Sequence, residues 1–331
     1  MRHFYSLNEF TLDQIQEFLD RAVYHKRNPA GDSLSGKQFG LLFLGPSLRT
    51  RCSFEVAARQ LGGGVTTLEG QTLWKLETRA GTTMDQDRSE HVKEAMGVLS
   101  RYFDCLGLRC FARGEDREED LLDQTFAAFL EYAKIPVVNM ESAVYHPCQA
   151  MADLMTIREL FPDGFKRRKI LVTWAPHPKR LPTAVTNSIV LATTLAGMDV
   201  TVAHPEGFDL QEGIIGMARE FAESSGGSVR VTHDREDAAT DVDVVYAKAW
   251  GGLSAYEDAE AESKLRASYS EWRVDQALMD RTKRASFMHC LPVRRNVVVT
   301  DAVMDSKQSV VFRQAENRLH VQKAILEWVK S

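Results

Sequence analysis

The sequence predicts an α/β protein with two domains, each built on a parallel sheet flanked by helices. Short apolar runs alternate with longer stretches whose apolar residues recur at helical spacing. The strand-like runs are mostly apolar, as expected where helices cover both faces of a parallel sheet. The chain has 331 residues, which is long enough for two hydrophobic cores.

The first half of the chain begins with a helix at 11–28, which Thr11 can cap and whose apolar residues mark one stripe. Predicted strands follow at 39–44, 65–68, 105–110 and 136–140. Predicted helices lie at 50–61, 90–103 and 121–133. We expect Asp87 or Ser89 to start the second of these helices, and the aperiodic stretch 70–81 to form a loop.

The second half repeats the alternation after an apolar helix at 149–160 and a polar linker at 161–169. Its predicted strands lie at 170–174, 200–204, 229–232, 242–247 and 286–290, the last preceded by a long loop rich in glycine and charge. Its predicted helices lie at 183–196, 211–224 and 315–329. We expect domains at 1–150 and 151–331, with the final helix packing back on the first.

Composition and charge argue against several classes of protein. A net charge of −5 gives no support to a nucleic-acid partner. No apolar segment approaches the roughly 20 residues that span a bilayer, and no signal-peptide core follows Met1. The five cysteines show neither a CxxC pair nor a zinc spacing. The sequence therefore predicts a cytoplasmic protein with reduced cysteines, no metal and no membrane partner.

The turn before the helix at 50–61 predicts an anion site. A helix N-terminus offers backbone N–H groups at the positive end of the dipole, with Ser47, Arg49 and Thr50 beside them. The forked guanidinium of Arg49 suits phosphate oxygens. The lysine spacing of a Walker loop is absent. The alternative is a basic first turn whose arginines meet only solvent or nearby carboxylates.

Further polar side chains follow predicted strands, where the sites of parallel sheets lie. Arg109, Glu141 and His146 fall at or just beyond such ends. His146 and Gln149 are one helical turn apart and can both aim at one carbonyl oxygen. By itself, His146 could instead position the start of the helix. Cys290 ends another predicted strand and could equally be a buried cysteine without chemistry.

Three of these segments resemble motifs of the aspartate/ornithine carbamoyltransferases. Residues 47–51 (SLRTR) match the family's Ser-x-Arg-Thr-Arg carbamoyl-phosphate motif, 146–149 (HPCQ) its His-Pro-x-Gln, and 289–292 (HCLP) its His-Cys-Leu-Pro. They occur in the family's order, and the resemblance covers essentially the whole chain. It is closest to the N-acylornithine branch, which residues 74–78 (WKLET) and 175–182 (APHPKRLP) resemble. The Ser-Met-Gly loop that ornithine carbamoyltransferases use for free ornithine is missing, which argues against ornithine itself.

The resemblance implies transfer of the carbamoyl group of carbamoyl phosphate to the δ-amine of an N-acylated ornithine in arginine biosynthesis, without a cofactor. It assigns catalysis to His146, Gln149, Arg109 and Cys290. It assigns carbamoyl phosphate to Ser47, Leu48, Arg49, Thr50, Trp74, Arg109, His146, Pro147, Cys148 and Gln149. It assigns the acylornithine to Ser89, Glu141, His177, Lys248, Cys290, Leu291, Arg294 and Arg318. Without the resemblance, the charged members of this set could be structural or solvated, and Arg109 an ordinary surface arginine.

The resemblance also implies a homotrimer with shared active sites, in which the loop of Trp74 reaches into the neighbouring subunit. As a bare residue, Trp74 could equally anchor the loop in the core. Residues 175–182 (APHPKRLP) look like the branch's proline-rich loop, through which the chain is threaded as a shallow knot. Knots are very rare, so composition alone would not predict one.

Ser89, which precedes Glu90 and His91, bears on the choice of acyl group. By resemblance, acetyl-specific members carry a glutamate at this position, whereas succinyl-specific members carry a proline. A serine here removes a charge that would repel the carboxylate of a succinyl group. The segments that look more like the succinyl enzymes are 74–78 (WKLET), 174–178 (WAPHP) and 204–208 (HPEGF). We therefore predict an N-succinylornithine carbamoyltransferase, with N-acetylornithine as the alternative acceptor. Ornithine itself, a non-catalytic anion-binding regulator and a phosphoryl-transfer enzyme are further alternatives.

Overall fold

The computed structural model describes residues 1–330 and divides the chain into two compact units. The first comprises 1–148 together with the chain from Asn317 onwards, and the second comprises 149–316. Each unit contains a parallel sheet flanked by helices. The predicted fold class is therefore confirmed, while the threaded loop stays a prediction.

The strands of the first unit in chain order are β1 (Gln38–Phe43), β2 (Gly64–Glu69), β3 (Leu76–Glu77), β4 (Glu90–His91), β5 (Cys105–Arg109) and β6 (Val137–Glu141). Four of them form a sheet in the order β2-β1-β5-β6, with every pair parallel, and β3 and β4 form a separate short pair. Phe43 pairs with Arg109, and Arg109 with Glu141, so three strand ends meet at one edge. That edge carries the predicted phosphate turn.

The helices of the first unit before residue 147 are α1 (Leu12–Arg27), α2 (Arg49–Gln60), α3 (Val92–Tyr102), α4 (Arg117–Leu121) and α5 (Gln124–Tyr132). Thr11 caps α1 as predicted, because its hydroxyl accepts from Gln14 N and the Gln14 side chain accepts from Thr11 N. The predicted helix at 121–133 begins only at Gln124, as α5, and its first predicted residue, Leu121, instead ends the separate helix α4. Asp123 breaks the predicted helix with a left-handed backbone (φ 54°), and its buried carboxylate accepts hydrogen bonds from Tyr5 and Ala143 N.

The predicted cap of α3 is wrong, because neither Asp87 nor Ser89 starts this helix. Ser89 N donates to Lys75 O at 3.1 Å, and the next two residues pair with β3 as β4, which keeps the segment extended. His91 is the actual cap, its Nδ1 accepting from Lys93 N at 3.1 Å. Tertiary pairing has thus moved the helix start beyond the residue with the better capping side chain.

The second unit contains a five-stranded parallel sheet in the order β11-β10-β7-β8-β9. The strands are β7 (Lys169–Trp174), β8 (Asp199–Ala203), β9 (Ser228–Thr232), β10 (Val244–Lys248) and β11 (Ser286–Met288). The remaining helices are α6 (Pro147–Leu160), α7 (Ala184–Leu195), α8 (Glu212–Ser225), α9 (Arg235–Ala238), α10 (Ala259–Ser268), α11 (Gln276–Asp280), α12 (Asp301–Met304) and α13 (Val311–Lys330). Helices α6 and α13 contribute residues to both units.

One prediction for the second unit is wrong. The stretch before β11, predicted as one long loop, contains α10 and α11 as well as short 3₁₀ turns. Asp258 caps α10 and Asp275 caps α11, each accepting from backbone N–H groups of the first turn. Both helices are short or polar, so the hydrophobic pattern alone gave little signal for them.

Candidate active site

The N-terminus of α2 has the features of an anion site. Leu48 occupies the N-cap position and has no side-chain group that could accept from the first N–H groups, and its side chain is 70% exposed. Arg49 begins the helix, and Ser47 immediately precedes the cap; both side chains are partly exposed. Arg51 pairs with Glu55 and Glu69, whereas Arg49 is the first residue of the helix, where an anion would meet the first backbone N–H groups.

Arg109, at the end of β5, ties this turn to the neighbouring strand ends. Its Nη1 donates to Pro46 O at 2.5 Å, and its Nη2 donates to the carboxylate of Glu141, at the end of β6, at 2.7 Å. The guanidinium lies 4.3 Å from the ring centroid of Phe111. His146 is buried, and its Nε2 lies 3.6 Å from the same Glu141 carboxylate. Glu141 thus lies between a cation and an imidazole that were predicted to act on the carbamoyl group.

Arg318 reaches the phosphate motif from α13. Its Nη2 donates to Thr50 Oγ1 at 2.6 Å, and both residues are buried. The first unit therefore contains Glu141 and Arg318, both of which the resemblance assigned to the acylornithine, beside residues that it assigned to carbamoyl phosphate.

One other member of the predicted phosphate set, Cys148, has little freedom to react. Cys148 is fully buried, and burial raises the pKa of its thiol to about 12, although Arg318 opposes this rise. Its Sγ donates to Asn139 O at 3.3 Å. The Cys148 thiol is therefore protonated at neutral pH, which leaves it a packing role beside Pro147 at the start of α6.

Within the second unit, the side chain of Gln149 is buried and oriented. Its Nε2 donates to Asp153 Oδ1 at 2.8 Å. A carboxylate can only accept, so the amide nitrogen must face Asp153. Lys248, at the end of β10, is also buried, and its Nζ donates to Ala249 O at 2.6 Å.

His177 and Arg294 contact each other in the second unit, as two of the predicted acyl-side residues. Arg294 Nε donates to His177 Nε2 at 3.1 Å, so this nitrogen carries no proton and Nδ1 donates to Lys179 O at 2.8 Å. Burial lowers the pKa of His177, and the positive charge of Arg294 lowers it further. The imidazole is therefore neutral at pH 7.

The segment of Cys290 forms a tight turn. Leu291 N donates to His289 Nδ1 at 2.8 Å, Leu291 has φ 56°, and the Leu291–Pro292 peptide bond is cis. Cys290 is half-buried, and none of the five cysteines forms a disulfide bond.

Trp74 and Ser89 lie on the surface of the first unit. Trp74 is 70% exposed and follows the 3₁₀ turn Gly70–Thr72, so it does not anchor the loop in the core of this chain. Ser89 is exposed next to β4. Within 1–330, no helix has the length and apolar character to cross a membrane, and no group of three or more His, Cys, Asp or Glu could hold a metal ion.

The sequence analysis did not single out two polar pairs that hold the predicted residues of the second unit. Asp153 and Gln314 hold Gln149 and the His289 turn. The buried ion pair Glu262–Arg266 (3.1 Å) holds two loops: Arg266 donates to His177 O at 2.7 Å, and Glu262 accepts from Gly252 N at 3.1 Å. Asp153 could have been found as a lone charge in the apolar run 150–157, whereas no pattern marks Gln314.

Comparison with known proteins matches both halves of the chain to one family. The carbamoyl-P binding domain of the aspartate/ornithine carbamoyltransferases matches residues 2–159, and the Asp/Orn binding domain matches residues 181–329. An N-acetylornithine carbamoyltransferase from Xanthomonas campestris pv. campestris is 42% identical, covering 98% of this chain and 97% of the relative. An N-succinylornithine carbamoyltransferase from Bacteroides thetaiotaomicron is 41% identical, covering 85% and 84%.

A solved structure extends this similarity to the fold. It is a glutamate-to-serine variant of an N-acetyl-L-ornithine transcarbamylase complexed with carbamyl phosphate and N-succinyl-L-norvaline. The two chains share 42% identity with a TM-score of 0.97, and the alignment covers 99% of each.

Proposed function

The chain belongs to the aspartate/ornithine carbamoyltransferase family, in its N-acylornithine branch, and from this membership we propose how it carbamoylates an N-acylated ornithine and which acyl group it takes. The observation that carries the proposal is the similarity over 98% of the chain to an N-acetylornithine carbamoyltransferase, together with the uncapped N-terminus of α2 beside Arg49 and Arg109.

We assign phosphate binding to the turn before α2. The backbone N–H groups of its first turn and the guanidiniums of Arg49 and Arg109 offer donors and positive charge to the phosphate oxygens. Thr50, held by Arg318, adds a hydroxyl to this set. Neutralising the phosphate also makes it a better leaving group, because negative charge accumulates on it as the C–O bond breaks.

The reaction then needs no cofactor chemistry, since the carbamoyl carbon is already electrophilic. The neutral δ-amine forms the new C–N bond and the carbonyl oxygen becomes an oxyanion. The oxyanion then re-forms the carbonyl as the C–O bond to phosphate breaks, and the departing phosphate accepts the proton that the amine loses. We assign polarisation of the carbonyl to His146 and Gln149, and contact with the acceptor to Lys248, Cys290 and Leu291.

For the acyl group, the first candidate is acetyl. The N-acetylornithine enzyme matches the chain over 98% of its length, whereas the N-succinylornithine enzyme matches over 85%. The identities, 42% and 41%, do not separate the two, so coverage is what favours acetyl over our prediction from the sequence.

Succinyl is the second candidate, and Ser89 is the observation that favours it. Acetyl-specific members are expected to carry a glutamate here, and a serine would spare the distal carboxylate of a succinyl group that repulsion. Arg294 beside a neutral His177 would supply a cation for such a carboxylate. A related enzyme in which one glutamate is replaced by serine has been captured with a succinyl ligand.

One assay separates these candidates. Phosphate release from carbamoyl phosphate is followed with N-acetyl-L-ornithine, N-succinyl-L-ornithine, ornithine and aspartate in parallel. The acetyl proposal requires the highest kcat/KM with the first acceptor. If succinyl is preferred, Ser89→Glu should reverse the order, because the new carboxylate repels the distal one. Turnover of ornithine alone would contradict both candidates.

We also propose a cytoplasmic homotrimer in which Trp74 acts in the site of a neighbouring subunit. The exposure of Trp74 in this chain supports the proposal, because an indole is rarely left to solvent. Mixing inactive Trp74→Ala subunits with inactive His146→Ala subunits should restore activity, since some sites then hold both intact residues. Demonstrated subunit exchange without recovered activity would overturn it.

A further inference from the structure

We propose that Asp153 is a positioning residue that holds the amide of Gln149 and, through Gln314, the turn of His289 in a single orientation. This inference rests on the proposed function, because Gln149 and the segment after His289 are there assigned to the substrates. All four residues lie in the second unit.

The first step is the contact between Asp153 and two amides. Asp153 lies one turn after Gln149 on α6, and its Oδ1 accepts from Gln149 Nε2 at 2.8 Å and from Gln314 Nε2 at 2.7 Å. Because a carboxylate only accepts, both amides must turn their nitrogens towards it. The Oε1 atom of Gln149 is thereby directed away from Asp153, and it has no hydrogen-bond partner among residues 1–330.

The second step runs from Gln314 to the turn. With its nitrogen facing Asp153, Gln314 presents Oε1 to His289 N, which donates to it at 2.9 Å. His289 Nδ1 then accepts from Leu291 N at 2.8 Å. Each donor in this relay meets an acceptor. If the nitrogen and oxygen of either amide were exchanged, its oxygen would face the Asp153 carboxylate, and two acceptors would then meet.

Burying a carboxylate and two amides costs free energy, so we expect this cluster to serve orientation and not stability. Asp153 and Gln314 are fully buried, and Gln149 is 1% exposed. Buried ionic groups can often be replaced by apolar residues without loss of stability. Tyr246 lies in the same cluster, where burial and the Asp153 charge raise the pKa of its hydroxyl. A carboxylate within the apolar run of α6 is explained if its task is to fix two segments that contact substrate.

Asp153→Asn tests the arm that ends at Gln149. The substitution keeps the size but removes the charge that both amides share, so kcat should fall about ten- to a hundredfold. The same change in a Gln149→Ala background should lower kcat by less than about twofold, because the amide that affects kcat is then absent and the contact through Gln314 is expected to act mainly on KM. Fully multiplicative losses in this cycle would overturn the proposal.

Gln314→Met tests the other arm. It removes the contact with His289 N but leaves the bond between Asp153 and Gln149, so KM for the acylornithine should rise more than kcat falls. Thr156→Val is the matched control, since Thr156 is equally buried on α6 and its hydroxyl donates to Ala152 O at 2.8 Å within the same helix. Equal loss of kcat in this control would show that α6 is merely destabilised.

A readout other than activity separates this inference from the proposed function. In protein labelled with ¹⁵N-glutamine, the side-chain amide resonances of Gln149 and Gln314 should both shift in Asp153→Asn and stay in place in Thr156→Val. Unmoved resonances contradict the relay whatever the enzyme catalyses. Shifted resonances in a protein that carbamoylates no ornithine derivative would refute the proposed function and leave the relay standing.

Discussion

The carboxyl edges of the two sheets hold their polar side chains in different ways. At the edge of the first sheet, charged groups such as Arg49 and Arg109 are partly exposed and stand beside a helix N-terminus. At the edge of the second sheet, Lys248 is buried at the end of β10, and two loops of the same unit are fixed by the buried ion pair Glu262–Arg266.

The difference matches what each edge is proposed to bind. A phosphate dianion is bound by cations and N–H groups, which tolerate water until the ligand arrives. A neutral amine contributes little charge, so an acceptor site has to work through orientation, and orientation requires locked side chains. A short motif can therefore supply the charge that binds phosphate. Fixing the orientation of a buried side chain needs hydrogen-bond or ion-pair partners from distant parts of the chain.

The largest expected effect is the loss of Arg266, which would break the buried network of the second unit. Arg266→Met leaves the Glu262 carboxylate buried without its cation, so the free energy of unfolding should fall by about 3–5 kcal/mol. Urea denaturation measures this change. The double variant Glu262→Leu/Arg266→Met should recover much of the loss. A single variant as stable as the wild type would remove the contrast between the two edges.

Arg49→Ala probes the exposed edge of the first unit. Losing a charge-assisted fork to phosphate should cost about 2–4 kcal/mol of transition-state stabilisation, which is about two to three decades in kcat/KM. The melting temperature should hardly change, in contrast to Arg266→Met. Arg59→Ala, in the last turn of the same helix, is the control and should retain activity. Wild-type kinetics in folded Arg49→Ala would defeat the phosphate assignment.

Arg318→Met sharpens the comparison, because this arginine was assigned to the acylornithine but contacts Thr50. A lost hydrogen bond to a charged group costs about 1.5–3 kcal/mol, or roughly ten- to a hundredfold in kcat/KM. We expect KM for carbamoyl phosphate to rise more than KM for the acylornithine. Arg313→Met, an exposed arginine on the same helix, provides the control. The opposite split in KM would restore the assignment from the resemblance.

The smallest effect concerns the titration of His177. Its pKa is lowered chiefly by burial, so folding favours the neutral ring, and this contribution to stability declines as pH falls below the unfolded value of 6.5. NMR titration should give a pKa below 6.5 for the wild type and a higher one for Arg294→Met, which removes a cation. Arg295→Met is the control, because Arg295 pairs with Asp301 and Asp305. An unchanged pKa in Arg294→Met would show that the contact is not maintained in solution.

The sequence by itself was sufficient for the fold class, for the helix that follows Ser47 and Leu48, and for the family. Strands buried on both faces leave short apolar runs, and helices with one apolar stripe leave a periodic pattern. Both can be recognised without knowing which other elements they pack against. A turn with Ser47, Arg49 and Thr50 is likewise local, since the helix start supplies most of its binding groups.

Only the tertiary structure decided how the predicted residues are held. His91 rather than Ser89 caps α3 because pairing between β3 and β4 keeps the preceding residues extended. Arg318 meets Thr50, and Gln314 meets Asp153, across separations of 268 and 161 residues. Such contacts join single polar side chains whose spacing in the chain carries no period, so no local pattern encodes them.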